Sequence, residues 1–220
     1  MPTPKAGYFL KDGTPVPRTT TICSAYKDSG GLLHWAWEQG KQGLDYRETR
    51  DKAGDIGTLV HAAIEAKING TPPPSVLDDE GTRALKAFLE WDRQNQIEIL
   101  YQEVRLVSEE YRYGGTLDAV GVIDGKHVLL DWKTSKGVYK NYLLQLAAYK
   151  QLWDENYPGR EIEGGSYLVR FSKTDGICEP YYFEDLTDAW EQFQDARRMY
   201  EREKNLDAIL ERAKSCMKPL

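Results

Sequence analysis

The sequence predicts a single mixed α/β domain, a central β-sheet flanked by helices, on three observations. Helical periodicity dominates as far as residue 96, the middle of the chain switches to an alternating period, and an Asp-Gly pair joins two β-rich runs. The predicted order is helices, three strands, helix, two strands, helix, which is the pattern of a sheet packed against helices. One domain is expected over 1–220: a mainly helical part at 1–96, a sheet core at 97–183 and a C-terminal helix at 184–220.

Leu32 to Gln42, carrying Trp35 and Trp37, reads as a helix, and Gly57 to Lys67 reads as another, rich in Ala, Leu and Ile. Asn69-Gly70-Thr71 and Pro72-Pro73-Pro74 stop it and space it from the next. Asp78 to Gln96 places Leu85, Phe88 and Leu89 at helical spacing. Ile97 to Val107 alternates as a strand. Gly115 to Ile123 and Lys126 to Thr134 flank Asp124-Gly125, a pair suited to the two positive φ angles of a type I′ hairpin turn. Tyr139 to Glu155 is helical and ends at Asn156-Tyr157-Pro158-Gly159. Gly165 to Phe171 and Ile177 to Phe183 are the last two strands, and Leu186 to about Lys214 is a long charged helix.

Composition narrows the function classes. There are 29 Lys+Arg against 35 Asp+Glu, a net charge of −6, which argues against coating nucleic acid through bulk charge. No run approaches the ~18 apolar residues of a membrane span, and the N-terminus lacks the apolar stretch of a secretory signal. Cys23, Cys178 and Cys216 are widely spaced and odd in number, so no disulfide framework is expected and a cytoplasmic location is.

The hairpin concentrates charge. A two-residue loop at Asp124-Gly125 sets Ile123 opposite Lys126, Val120 opposite Leu129 and Asp118 opposite Asp131. Facing residues at a non-hydrogen-bonded site have Cα atoms only ~4.5 Å apart, and like charges there repel. Lys133, two residues beyond Asp131, leaves the strand on the same face. A hard divalent cation explains two carboxylates and an ammonium at the end of buried strands, with the lysine orienting or deprotonating a water. The alternative is an Asp131–Lys133 ion pair with Asp118 turned to solvent.

Four further residues are candidates. His61 lies one helical turn before Glu65; it is either a ligand or a hydrogen-bonded, half-buried side chain. Glu103 is either another carboxylate ligand or a solvent-facing strand residue. Gln145, set among Leu and Ala, suggests a specific hydrogen-bond partner, and Tyr149 follows it one turn later.

Taken in order, Gly57-Thr58-Leu59-Val60-His61, Gly115-Thr116-Leu117-Asp118, Asp131-Trp132-Lys133-Thr134 and Gln145-x-x-x-Tyr149 resemble the PD-(D/E)XK nuclease superfamily, most closely its RecB-type exonuclease branch. Thr19-Thr20-Thr21-Ile22 to Gly40 also resembles the N-terminal part of those proteins. The resemblance implies a restriction-endonuclease-like core and divalent-metal-dependent hydrolysis of DNA with Mg²⁺ or Mn²⁺. It implies metal ligation by Asp118, Asp131, the Trp132 backbone carbonyl and His61, with Glu103 near an acidic position of many relatives. Lys133 would position or activate the attacking water, while Gln145 and Tyr149 would hold the lysine or the DNA backbone. Some relatives carry an iron–sulfur cluster on four cysteines; the cysteines here do not match, so no cluster is expected.

The implied activity is a DNA exonuclease of phage or bacterial recombination, repair or replication. A recombinase, helicase or single-strand-binding protein is the expected kind of partner, and no membrane is. The motifs encode phosphodiester hydrolysis rather than end recognition, so a structure-specific endonuclease is the alternative enzyme. A catalytically silent nucleic-acid-binding module is the alternative outside the enzymes; retention of the repulsive Asp118, Asp131 and Lys133 cluster speaks against it. Phosphate contacts are expected from Lys136, Lys140, Arg170, Lys173 and Arg112, and base stacking from Tyr111, Tyr113, Tyr139 or Tyr142.

Overall fold

The computed structural model describes residues 7–25, 30–73 and 77–215, so Pro74 and Cys216 lie outside the described residues. The chain opens with a two-stranded hairpin, β1 (Tyr8–Phe9) and β2 (Pro15–Val16), and a short helix, α1 (Thr19–Ala25). Helices α2 (Gly30–Lys41), α3 (Tyr46–Ile68) and α4 (Asp79–Asn95) follow. The sheet is built from β3 (Glu98–Ser108), β4 (Tyr113–Ile123), β5 (Lys126–Lys133), β6 (Ser166–Phe171) and β7 (Cys178–Phe183). Helix α5 (Lys140–Asn156) joins β5 to β6, and α6 (Thr187–Ser215) closes the described chain.

The strands lie in sequence order, β3-β4-β5-β6-β7, antiparallel except for β5 beside β6. A parallel pair needs a crossover, and α5 is that crossover. The mixed α/β class and the element order from α2 onward are as expected, while the β1–β2 hairpin and α1 are additional.

Each face of the sheet has its own core. Leu129 of β5 joins α1, α5 and α6 through Ile22, Leu146, Trp153 and Phe193. Val128, Leu130 and Trp132 join α3 and α4 through Val60, Ile64, Phe88 and Trp91. The two-residue alternation of β5 therefore sends Leu129, Asp131 and Lys133 toward α5 and the bulky tryptophan the other way. That division positions the site.

Two departures from the expected elements matter. Helix α3 starts at Tyr46 rather than Gly57, capped by the Asp45 carboxylate, which accepts from the Arg47 amide at 2.8 Å. Strand β3 does not alternate evenly: its register against β4 shifts between Ile99 and Tyr101, and Glu103 has a φ of 50°. The Asp124-Gly125 turn is as expected, with φ of 51° and 75°.

Candidate active site

The hairpin register runs as expected from Ile123↔Lys126 to Ala119↔Leu130. One step further on, Asp118 and Asp131 do not continue the ladder. The Asp118 Oδ2 instead accepts a hydrogen bond from the Trp132 backbone amide at 2.8 Å. In an extended strand the N–H and C=O of one residue leave on the same side, so the Trp132 carbonyl is directed toward β4 as well. The opposite side of β5 is occupied by its parallel ladder with β6, where Trp132 pairs with Val169.

Asp118 is also where β4 loses its alternation. Leu117 belongs to the core under α5 and Ala119 to the core under α3 and α4, although residues two apart should share a face. On β3 the flanking pairs Gln102↔Ala119 and Val104↔Leu117 place Glu103 beside Asp118. The left-handed backbone of Glu103 breaks the local pleat there. The result brings His61, Glu103 and Asp118 together, with one potential ligand atom from each within 4.8 Å of the others. His61 Nδ1 lies 3.6 Å from Asp118 Oδ1.

Asp131 and Lys133 stand behind this group. Lys133 Nζ is 2.5 Å from Asp131 Oδ2, and the Asp131 side chain is 1% exposed against 13% for the lysine. The lysine is the partner of this buried oxygen, which receives no other hydrogen bond. Gln145 donates weakly to Asp131 Oδ1, at 3.4 Å, and to Tyr149 Oη, at 3.0 Å. Of the two expected roles, a hold on the lysine or on the DNA backbone, the Gln145 amide makes no hydrogen bond to Lys133 among the described residues; it reaches the Asp131 carboxylate. The Lys133 ammonium sits 5.0 Å from the Tyr142 ring centre instead.

Charge in this pocket follows from its burial. Burial pushes the Asp131 carboxyl up to about 6, with Lys133 opposing and Asp118 reinforcing the shift. Burial also acts to raise Asp118, but the His61 imidazole outweighs it and holds the carboxyl below its usual range. Burial acts to lower His61 and Lys133; Asp118 more than offsets it for the imidazole, and Asp131 with Asp118 for the ammonium, so both are raised. Tyr149 is held well above its ordinary value, first by burial and then by the two aspartates.

Two motif glycines have steric reasons. A Cβ on Gly115 would stand 2.6 Å from the Tyr149 ring and 2.8 Å from the Thr19 hydroxyl. A Cβ on Gly57 would stand 3.1 Å from Thr134 Oγ1. Helix α3 can therefore lie against the end of β5 and bring His61 to Asp118.

His61, Glu65, Glu103, Asp118 and Tyr149 line a cleft of about 460 Å³. Its far wall comes from the N-terminal segment, through Tyr8, Arg18, Thr19 and Thr20. The Tyr8 hydroxyl is 2.7 Å from Thr116 Oγ1, and Thr19 donates to the Gly114 carbonyl at 3.1 Å. Sequence reasoning did not single out Tyr8 or Arg18, and nothing in their spacing marks them.

Sequence profiles decide the family, since that of the PD-(D/E)XK nuclease superfamily matches residues 28–219. The chain belongs to that superfamily. Among curated proteins none matches the sequence. A candidate exonuclease from Eubacterium rectale has a similar solved structure, at 14% identity and a TM-score of 0.48, over 68% of each chain. The structure of LHK-Exo in complex with dAMP is similar at 14% identity and a TM-score of 0.38, over 72% of this chain and 85% of that one.

PD-(D/E)XK nucleases use divalent metals, and the residues of this nuclease fit one. Two carboxylates and an imidazole converge beside a cleft, the donor set of a divalent cation, with the buried Asp131–Lys133 pair next to them. Carboxylate oxygen suits magnesium and manganese. No helix among the described residues is long and apolar enough to cross a membrane.

The expected phosphate contacts divide. Lys136, Arg170 and Lys173 line a second cleft on the other flank of α3. Arg170 is 7% exposed there and is held by Glu179 at 2.6 Å and the Ser135 carbonyl at 3.1 Å, because the register sets Glu179 opposite it. Lys140 is exposed at the start of α5, and Arg112 is exposed in the β3–β4 turn, where its carbonyl accepts from Arg197. Tyr113 is not available for stacking: it is fully buried against Phe193, and its hydroxyl donates to the Ala148 carbonyl. Tyr111 packs edge-on against Trp190, whereas Tyr139 is 44% exposed.

Proposed function

We infer that this nuclease is a divalent-metal-dependent DNA exonuclease of the RecB type, using Mg²⁺ or Mn²⁺. The observation that carries the reading is the convergence of His61, Glu103 and Asp118 on one cleft, with Asp131 and Lys133 immediately behind. His61, Glu103, Asp118 and the Trp132 carbonyl would hold the metal, with Asp131 at its buried side. A bound cation supplies Lewis-acid stabilisation of the charge developing on the phosphoryl oxygens.

The chain's own groups do the rest. Lys133 orients the attacking water and stabilises negative charge as it forms. Asp131 keeps the lysine charged and in place, and Gln145 steadies Asp131 from α5. Tyr149 is a neutral hydroxyl at the cleft wall. Walls on two sides, α3 and the Tyr8–Thr20 segment, favour entry of a strand end over a grip on a continuous duplex. Recombination, repair or replication of phage or bacterial DNA in the cytoplasm is the setting in keeping with such an activity.

The test uses end-labelled linear and circular single-stranded DNA with Mg²⁺ or Mn²⁺. Shortening of the linear substrate alone supports the exonuclease; cutting of the circle makes it an endonuclease. Asp131→Ala and Lys133→Ala should each abolish hydrolysis. Activity retained in either variant would place the chemistry elsewhere.

A further inference from the structure

The second cleft, of about 680 Å³, is larger than the one beside the metal ligands. Its charged lining is Lys52, Lys136, Arg170 and Lys173 against Glu80 and Asp175; with Glu179 on Arg170 and Asp78 attracting Lys173 from beside the cleft, the cations left open to a ligand are Lys52 and Lys136. Arg170 is occupied by Glu179, and Lys173 donates to the Ala53 carbonyl at 3.0 Å. Among the described residues, neither Lys52 nor Lys136 has an ion-pair partner. Lys173 is attracted by Glu80 and Asp78 and, more weakly, repelled by Lys136, and Asp175 already accepts from the Ile177 amide at 3.1 Å. Two exposed lysines at one cleft, neither in an ion pair, are open to an anion from outside.

Its position identifies the anion. The wall it shares with the metal cleft is α3: Thr49, Lys52, Ala53 and Ile56 face one side, while Gly54, Gly57 and His61 face the other. Thr134, Ser135 and Lys136 follow directly on Lys133, so a phosphate at Lys136 is a close neighbour of one at Lys133. The geometry points to a backbone-binding subsite, with Lys52, Lys136 and Lys173 contacting internal phosphates of the same strand whose phosphodiester lies at Lys133. Lys52 is the contact that sequence patterning did not reveal. The assignment rests on the nuclease reading above, and it explains how an acidic protein holds a polyanion locally.

The test compares wild type with Lys52→Gln/Lys136→Gln, and with Lys126→Gln at the remote hairpin turn as a bulk-charge control. Binding of a fluorescein-labelled oligo-dT of about 20 nucleotides is measured in chelator across a salt series. Each lost single-strand phosphate contact should flatten the slope of log K against log salt by about 0.7. In Mg²⁺, kcat/KM for the oligonucleotide should fall at least about tenfold more than for thymidine 5′-p-nitrophenyl phosphate, a single phosphodiester.

An unchanged slope in an active wild-type background overturns the subsite while leaving the nuclease reading intact. Equal losses on both substrates, or an equal slope change in Lys126→Gln, also overturn it. Inhibition by dTMP weakened as much as oligonucleotide binding would make the cleft a site for a lone terminal phosphate instead. A wild type that neither binds nor hydrolyses DNA removes both readings together.

Discussion

The Asp118 carboxylate accepts a 2.8 Å hydrogen bond from the Trp132 backbone amide, one residue past the last rung of the hairpin ladder. That bond replaces the direct Asp118–Asp131 juxtaposition implied by continuing the register. Each carboxylate has a different neighbour, His61 for Asp118 and Lys133 for Asp131, although Asp118 still acts to raise Asp131. One carboxylate faces the cleft, and the other anchors the lysine.

The His61–Asp118 pair makes a pH prediction. In chelated protein, His61 should titrate above its ordinary 6.5, because Asp118 offsets the lowering effect of burial. Since the folded His61 value is raised and that of Asp118 depressed, the stability from this pair is greatest between the unfolded values of the two. It is lost as pH rises through the folded His61 value, and is lost again as pH falls through the folded Asp118 value. In Asp118→Asn the imidazole midpoint should drop below 6.5, leaving burial dominant. Imidazole NMR titration measures both; equal midpoints in the two proteins would disprove the coupling.

Lys133 should contribute to stability as well as to hydrolysis. Removing one partner of a buried ion pair costs about 3–5 kcal/mol, because the other charge is left uncompensated. Lys133→Met should therefore lower Tm strongly, and Asp131→Asn added to it should restore much of the loss. Neither variant should hydrolyse DNA. Thermal denaturation of the single and double variants, beside nuclease assays, gives the comparison; additive losses would contradict it.

Glu103 separates metal affinity from folding. Its φ of 50° costs a non-glycine residue about 1 kcal/mol or more, which Glu103→Gly relieves. The glycine variant should keep or gain thermal stability in chelator while binding Mn²⁺ at least about tenfold more weakly, in the range seen when a metal site loses a supporting carboxylate. Calorimetric Mn²⁺ titration and thermal denaturation read the two effects separately. Undiminished affinity would remove Glu103 from the ligand set.

Gly115 is required by the ring beside it. Gly115→Ala places a methyl group 2.6 Å from Tyr149 Cε1 in a closed core, an overpacking that costs about 1–3 kcal/mol. Tm should fall by roughly 2–4 °C per kcal/mol for a chain of this size. Tyr149→Phe keeps the ring and should not rescue it, whereas Tyr149→Leu should recover part of the loss. An unaltered Tm in Gly115→Ala would mean that the ring can move aside freely.

How much was legible depends on how local the determinant is. The Asp124-Gly125 turn fixes its own register, so Val120↔Leu129 was readable from residue numbers alone. Helix α4, with its apolar spacing and the Asp78 cap, falls within a residue of its expected limits. The first half of α3 was not read as helix because Tyr46 to Asp55 carries no apolar stripe. The shift between Ile99 and Tyr101 left no trace, since a bulge preserves composition while changing which residues share a face.

By itself the sequence determined the class of fold, the order of the elements and the identity of the chemical groups, because periodicity, turn chemistry and motif spacing are short-range properties. It put Asp131 and Lys133, two residues apart, on one strand face. The tertiary structure alone decided that Glu103 joins His61 and Asp118, that Gln145 holds Asp131, that Arg170 is consumed by Glu179 and that Tyr113 is core. The first and last of these join elements distant along the chain, whereas Gln145–Asp131 and Arg170–Glu179 join neighbouring elements through helix packing and hairpin register. The acidic composition illustrates the division: the net charge of −6 is a property of the whole chain, whereas attraction for phosphate is set by which lysines the fold gathers around one cleft.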